Sequence, residues 1–392
     1  MEFRPYYMAR EWLRAGHQVL ILAASHSHVR SSQPQAGGQT IDGISYVWYG
    51  TPAYAGNGFG RVRNIWSFCR QVWNDAEALA DSFKPDAVIA SSTYPMDIWP
   101  ARRIAKLSNA KLVYEVHDLW PLSPIELSGM SPRHPFAMLC QKAENLAYRD
   151  ADAVISMLPK VHGHMAAHGL DLRKLSIVPN GISLDEWQGE TEAVNPDLAA
   201  HLAVLRASGR LVLGYAGSHG LPNALDVLLD AANQLMTTPE GRTIAVVMVG
   251  NGHEKARLAE RVRSEGLSNV SLFEPIPKGQ IPALLSQFDI AYIGWQRTPI
   301  YRFGIAPNKL MDYMMAQRPV LHSVQAGNDP VAEAGAGLTV APEDAAAVAR
   351  GAFALAALSA DERAAMGARG RAFVLAHHSY PVLAARFIEG LT

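Results

Sequence analysis

The stretch RLVLGYAGSHGLPNALD, residues 210–226, decides how the chain is organised. Its first half is an apolar run of the kind that forms a strand buried on both faces. Gly217 and Gly220 follow, then Pro222, which suits the first turn of a helix predicted over residues 222–236. Strand, glycine turn and helix are how a doubly wound α/β domain begins. Here the sequence begins in mid-chain, so what precedes it is read as a domain of its own.

The pattern continues downstream. TIAVVMVG (243–250), VSLFEP (270–275), DIAYIGW (289–295), PVLHS (319–323) and GLTVAP (337–342) read as strands separated by helices, and an Ala-rich helical segment closes the chain. Upstream, HQVLILAAS (17–25), ISYVWYG (44–50), PDAVIASS (85–92), AKLVYEVHD (110–118), ADAVISML (151–158) and LSIVPNG (175–181) alternate with helices near 4–15, 61–82, 97–108, 134–150 and 159–168. GGQTIDG (37–43) reads as a connecting loop. Near-continuous Val, Ile, Leu and Ala alternating with helices mean a parallel sheet covered on both faces. Two α/β domains are expected: residues 1–182, with a last helix at about 376–392 packing back on them, and residues 183–375. A domain of this kind normally opens on a strand that becomes central in its sheet, whereas this chain opens on a helix. Either the coding sequence starts upstream of Met1, which is the favoured expectation, or the N-terminal domain is missing its first, central strand.

Bulk properties agree. The chain has 392 residues, 49% hydrophobic and 18% charged, with a formal net charge of −1, which fits a compact protein and gives no electrostatic footprint for nucleic acid. Two cysteines cannot build a disulfide framework, and no apolar run reaches 18 residues. A reducing, cytoplasmic setting is expected.

Several motifs carry chemistry. In GYAGSHG (214–220) Gly217, Ser218, His219 and Gly220 read either as a diphosphate cradle, using free N–H groups at a helix N-terminus, or as an ordinary strand–helix turn. FEPIPKGQIPAL (273–284) puts Pro275, Ile276 and Pro277 in a stiff loop that reads either as a nucleobase edge or as a plain connection. In RFGIAPNKLMDYMMAQRPVL (302–321), Lys309 and Asp312 are three apart near a helix start. They form either a surface salt bridge, worth roughly 0.3–0.5 kcal/mol, or a diphosphate contact and a ribose-binding carboxylate. His117 and Asp118 end a strand at the usual ligand edge of a parallel sheet. His26 and His28 follow another strand. His164 and His168 are i, i+4, but no acidic or cysteine third ligand stands at compatible spacing, so no metal site is expected. RVRNIWSFCRQVW (61–73) interleaves Arg61, Arg63 and Arg70 with Trp66, Phe68 and Trp73, which suits either a membrane surface or a half-buried helix.

Taken in order, IVPNGI (177–182), GYAGSHG, VVMVGNGHEK (246–255), FEPIPKGQIPALLSQFDIAYI and NKLMDYMMAQRPVL give a chain that resembles the family 4 glycosyltransferases. FRPYYMAREWLRAGHQVLILAASHSHVR and DLWPLSP look like the subgroup that includes bacterial N-acetyl-L-fucosaminyltransferases of O-antigen and capsule synthesis. The resemblance implies the GT-B fold, two Rossmann-like domains facing each other across a cleft, and a retaining, metal-independent transfer from a nucleotide sugar without a cofactor.

By position, the resemblance puts Gly217, Ser218, His219 and Gly220 under the donor diphosphate, with Asp312 on the ribose and His117 facing the donor sugar. The chain departs from the family where Gly304 stands in place of the first acidic residue. Donor-sugar recognition then falls to backbone groups of Phe303, Gly304, Ile305 and Ala306. The family's basic pair after the glycine turn is also absent. Lys309 is the best substitute, ahead of Arg302 and Lys255, and with His117 it is a candidate catalytic residue. Asp118, His26 and His28 are assigned weakly to the acceptor side. The implied partners are a nucleotide-sugar donor, UDP-linked, a glycan or lipid-linked acceptor and the inner face of the cell membrane, with no nucleic acid. A nucleotide-sugar 2-epimerase of the same fold and a catalytically inactive nucleotide-sugar-binding protein stay open.

Overall fold

A computed structural model describes residues 3–27, 30, 32–56, 58–189 and 191–391. His28 lies outside the described residues. The chain divides into two compact units, Met1–Asn180 with Tyr380–Thr392, and Gly181–Ser379.

The first unit carries strands β1 (Leu20–Ala24), β2 (Gly37–Ile41), β3 (Ile44–Tyr49), β4 (Ala87–Ala90), β5 (Lys111–Val116), β6 (Ala153–Ser156) and β7 (Leu175–Ile177). They form two sheets, ordered β1-β3-β2 and β4-β5-β6-β7. Among the described residues no strand joins β1 to β4, so the single sheet expected from the sequence is two. GGQTIDG is not a loop. It supplies β2, paired antiparallel with β3 through an Asp42–Gly43 turn. Both turn residues have positive φ, 48° and 82°, as an Asp-Gly hairpin requires. The segment 61–82 is two helices, Phe59–Asn74 and Ala76–Phe83, and a further short helix spans Leu122–Ser128. Helix Phe3–Arg14 packs against the last helix, Tyr380–Glu389. Tyr7 stacks on Tyr380 at 4.8 Å between ring centroids, and Trp12 Nε1 donates to Ala384 O at 3.2 Å.

The second unit holds strands β8 (Leu211–Ala216), β9 (Ile244–Val249), β10 (Val270–Phe273), β11 (Ile290–Gly294), β12 (Val320–Ser323) and β13 (Gly337–Val340). The order is β10-β9-β8-β11-β12-β13, with every pairing parallel. This is the doubly wound order, whose crevice opens where neighbours of the first strand diverge. Alternate residues feed two cores: Val212, Ala245 and Val247 pack on one face, and Leu213, Val246 and Met248 on the other. That two-sided burial explains the unbroken apolar runs. No helix among the described residues is long and apolar enough to cross a membrane.

Candidate functional site

The second unit gathers its polar groups where β8 and β9 end. The two glycine turns interlock: Gly217 N donates to Val249 O at 3.0 Å, His219 N to Asn251 O at 2.8 Å, and Glu254 N to His219 O at 3.0 Å. A Cβ on Gly250 would lie 1.9 Å from Gly217 O, so only glycine permits this approach. The interlock alters the cradle read from the sequence. The amides of Gly217 and His219 are already committed, and those of Ser218 and Gly220 have no partner among the described residues. The α-helix also starts later than Pro222. A 3₁₀ turn, Leu221–Asn223, and a left-handed Ala224 (φ 46°) come first, and the helix runs from Leu225 to Met236.

Lys309 belongs to this turn. It sits in helix Asn308–Met315, which Tyr313 pins to the end of β8. Tyr313 Oη donates to Ala216 O at 3.0 Å and accepts from Ala216 N at 2.8 Å. Lys309 Nζ donates to Tyr215 Oη at 3.0 Å and to Asn223 Oδ1. Tyr215 Oη and Asn223 Nδ2 in turn donate to Ser218 O, at 2.6 and 2.9 Å. A Cβ added at Gly217 would come 3.4 Å from Lys309 Nζ, so the ammonium lies directly over the glycine turn. Burial lowers the Lys309 pKa to about 8. His219 is fully buried, and both ring nitrogens lack a hydrogen-bond partner among the described residues. Burial, then the Lys255 and Lys309 ammonium groups, push its pKa down to about 4, so it is neutral at pH 7. A buried neutral imidazole with unpaired nitrogens beside an ammonium and a glycine turn can serve an anionic ligand with one N–H.

Asp312 makes no ion pair with Lys309. Burial pushes its carboxyl up to about 7, against the opposing pull of Lys278 and a hydrogen bond with Trp187. Pro275 and Pro277 are exposed, while Ile276 packs with Trp187 and Phe273 against the core. Backbone groups of the 303–306 loop are held by Tyr301 and Asn328 on either side of it. Gly304 N donates to Tyr301 O at 2.9 Å. Ile305 N donates to Asn328 Oδ1 at 2.7 Å, and Asn328 Nδ2 to Ile305 O at 3.1 Å. Phe303 is buried, and Gly304 has φ 109°, which a residue with a side chain rarely adopts. The N–H of Gly304 and both backbone groups of Ile305, named for sugar recognition, therefore already have partners. Arg302 is exposed over the Phe303 ring, and Lys255 pairs with Glu274 at 2.8 Å.

In the first unit His117 belongs to a network that the sequence reading missed. Glu115 stands two residues earlier on β5, and strand alternation puts both on one face. His117 Nε2 lies 3.2 Å from Glu115 Oε2 and 3.0 Å from Ser91 Oγ. Ser91 Oγ also donates to Glu115 Oε2. Arg4 Nε donates to Glu115 Oε1 at 2.8 Å, both side chains being 5% exposed. Burial alone would raise Glu115, but the Arg4 guanidinium and His117 hold its carboxyl well below the usual range. Serine and carboxylate share one imidazole nitrogen, so this is no hydrolase relay, which needs them on opposite nitrogens. Nearby Asp97 accepts from Ser92 N at 3.0 Å, and burial raises it to about 6. Asp118 is exposed and stands outside the network. His26 is tied elsewhere, its Nε2 3.2 Å from Tyr54 O. The i, i+2 pair in YEVHD was the available signal for Glu115; nothing in the sequence pointed to Arg4.

His164 and His168 have an acidic neighbour that sequence spacing did not show: Glu144, from the preceding helix, puts a carboxylate oxygen within 4.8 Å of a nitrogen of each.

Comparison with known proteins identifies the domains that carry these residues. Residues 1–181 match the Glycosyl transferase 4-like domain, and residues 210–357 match the Glycosyl transferases group 1 domain. A putative colanic acid biosynthesis glycosyl transferase, WcaI of Escherichia coli K12, is 24% identical over 317 residues, 78% of this chain and 75% of the relative. Among solved structures, sucrose-phosphate synthase from Thermosynechococcus elongatus superposes with a TM-score of 0.73 at 16% identity, covering 97% of this chain and 90% of that one. Anabaena Alr3699/HepE in complex with UDP-glucose gives 0.62 at 15% identity, covering 95% and 99%. At such identities the structural likeness shows the fold. With domain matches on both units, the chain is a glycosyltransferase of the GT-B fold, built from a Glycosyl transferase 4-like domain and a Glycosyl transferases group 1 domain.

Proposed function

We propose that the enzyme is a retaining transferase that takes a sugar from a UDP-linked donor and delivers it to a glycan or lipid-linked acceptor of cell-surface polysaccharide synthesis. The observation that carries this reading is the half-buried Lys309 ammonium held over Gly217 by Tyr215 and Asn223. A fixed cation beside a glycine turn suits a diphosphate, and it stabilises the leaving group most when that charge develops. The free amides of Ser218 and Gly220 and the His219 ring add donors. Asp312 takes the ribose hydroxyls, and the loop from Pro275 to Pro277 flanks the base.

In the transfer, the anomeric carbon–oxygen bond to the diphosphate breaks and a bond to the acceptor hydroxyl forms on the same face. The acceptor proton passes to the departing diphosphate oxygen. Lys309 offsets the diphosphate charge, so this step needs no metal. His117, oriented by Glu115 and Ser91, hydrogen-bonds the donor sugar. The UDP-glucose bound by the Anabaena structure and the colanic acid biosynthesis in the relative's name support this reading. Gly304, lacking an acidic side chain, favours a donor with fewer hydroxyls to recognise, such as a deoxy-amino sugar. The exposed Trp66 and Trp73, with Arg63 and Arg70 on the same helix, suit peripheral contact with a membrane carrying the acceptor.

The committed backbone of the 304–305 loop also favours a second reading, a protein that binds nucleotide sugar without transferring it. The test is a panel of nucleotide sugars incubated with the enzyme and lipid-linked acceptors, with product stereochemistry read by NMR. A retained anomeric configuration in a glycosylated acceptor supports transfer. Tight UDP binding with neither hydrolysis nor transfer supports the binding protein, and free epimerised sugar without acceptor would mean an epimerase.

A further inference from the structure

We infer that the first unit holds a zinc ion on Glu144, His164 and His168, none of which is assigned to transfer. Glu144 comes from helix Pro135–Asp150; His164 lies in helix His162–Ala167, and His168 caps that helix at its C-terminal end. One ligand atom from each lies within 4.8 Å of the others. A tetrahedral zinc with bonds of ~2.0–2.1 Å keeps its ligand atoms roughly 3.3 Å apart, so small side-chain rotations close the sphere.

The surroundings prepare these groups as ligands. His168 Nδ1 lies 2.9 Å from His164 O. A carbonyl only accepts, so Nδ1 carries the proton and Nε2 presents its lone pair, which is how metal-bound imidazoles are fixed. The two rings sit one helical turn apart with centroids 4.4 Å apart. Glu144 is 1% exposed. Its oxygens accept from Tyr148 Oη at 2.9 Å and Gln141 Nε2 at 2.7 Å, so each keeps a lone pair free. No Lys or Arg among the described residues pairs with this side chain, so a divalent ion can bind it without displacing an ion pair. Two imidazoles and one carboxylate, with water in the fourth position, are a zinc donor set; magnesium and calcium prefer oxygen alone. The ion would clamp the helix that enters β6 to the helix of the crossover from β6 to β7.

The test uses the full chain, stripped with EDTA and titrated with zinc chloride against a chromophoric chelator. Thermal melting is followed with zinc and with magnesium, and the visible spectrum with cobalt(II). One equivalent of zinc should bind at micromolar concentration or tighter, zinc but not magnesium should raise Tm, and cobalt should give the intense bands of a tetrahedral site. His168→Gln and Glu144→Gln should each weaken zinc by at least ~tenfold and remove the cobalt bands. If Glu144→Gln does not fold, His168→Gln, at a half-buried position and checked by circular dichroism, answers alone. Absence of stoichiometric binding to the wild-type chain, or unchanged affinity in His168→Gln, overturns the assignment. Neither result bears on transfer through Lys309, which is measured separately.

Discussion

Lys309 Nζ lies 3.0 Å from Tyr215 Oη, across the end of β8, and makes no ion pair with Asp312 three residues along its own helix. The spacing that suggests a surface salt bridge instead separates two tasks. The ammonium is aimed at the glycine turn, and the carboxylate lies among Trp187, Lys278 and Glu186.

Removing Lys309 therefore tests the chemistry directly. Lys309→Ala should lower kcat by roughly 10²–10³, the usual loss for one contact that stabilises developing charge. Steady-state kinetics check this, and near-normal turnover would end the role assigned to Lys309.

The same pair predicts a narrow pH range for nucleotide binding. Lys309, lowered to about 8, loses its charge as pH rises through that value. Asp312, raised to about 7, becomes protonated as pH falls through that value and can then no longer accept two ribose donors. UDP affinity by calorimetry should peak between these values. Asp312→Asn should weaken binding and flatten the acid limb; an acid limb that survives in that variant would sink the ribose assignment.

Tyr313 holds the Lys309 helix through both backbone groups of Ala216. Tyr313→Phe leaves those groups unpaired in the core and should cost roughly 1–3 kcal/mol. Urea denaturation measures the loss, and an unchanged midpoint would mean that the helix is anchored elsewhere.

In the first unit, Arg4→Ala strands the buried Glu115 carboxylate and should destabilise by roughly 3–5 kcal/mol, as broken buried pairs do. Glu115 has a depressed folded pKa, so its contribution is present above the unfolded carboxylate range and is lost as pH falls below it. The wild-type and Arg4→Ala denaturation midpoints should converge in acid. A constant difference down to low pH would mean that the pair does not account for the cost.

Gly250→Ala places a methyl group 1.9 Å from Gly217 O. It should force the interlocked turns apart and weaken UDP binding along with stability. Wild-type UDP affinity in that variant would separate the turn from the ligand.

The order of elements was legible because buried parallel strands and their helices carry strong local patterns, and each strand of the second unit lies where its apolar run does. The Asp-Gly pair before β3 also marked a hairpin, although the polar Gly-Gly-Gln-Thr strand hid it. Of the candidate site, the sequence put forward Lys309, Gly217 and His219 through their place at strand ends and helix starts, and the structure brings them together. Their committed and free N–H groups were not, because these depend on how the turn after β9 locks into the turn after β8. Arg4 with Glu115, and Glu144 with His164 and His168, belong to the fold alone. They are brought together by sheet and helix packing across 111 residues in the first pair, a separation at which no periodicity in the chain relates one residue to another.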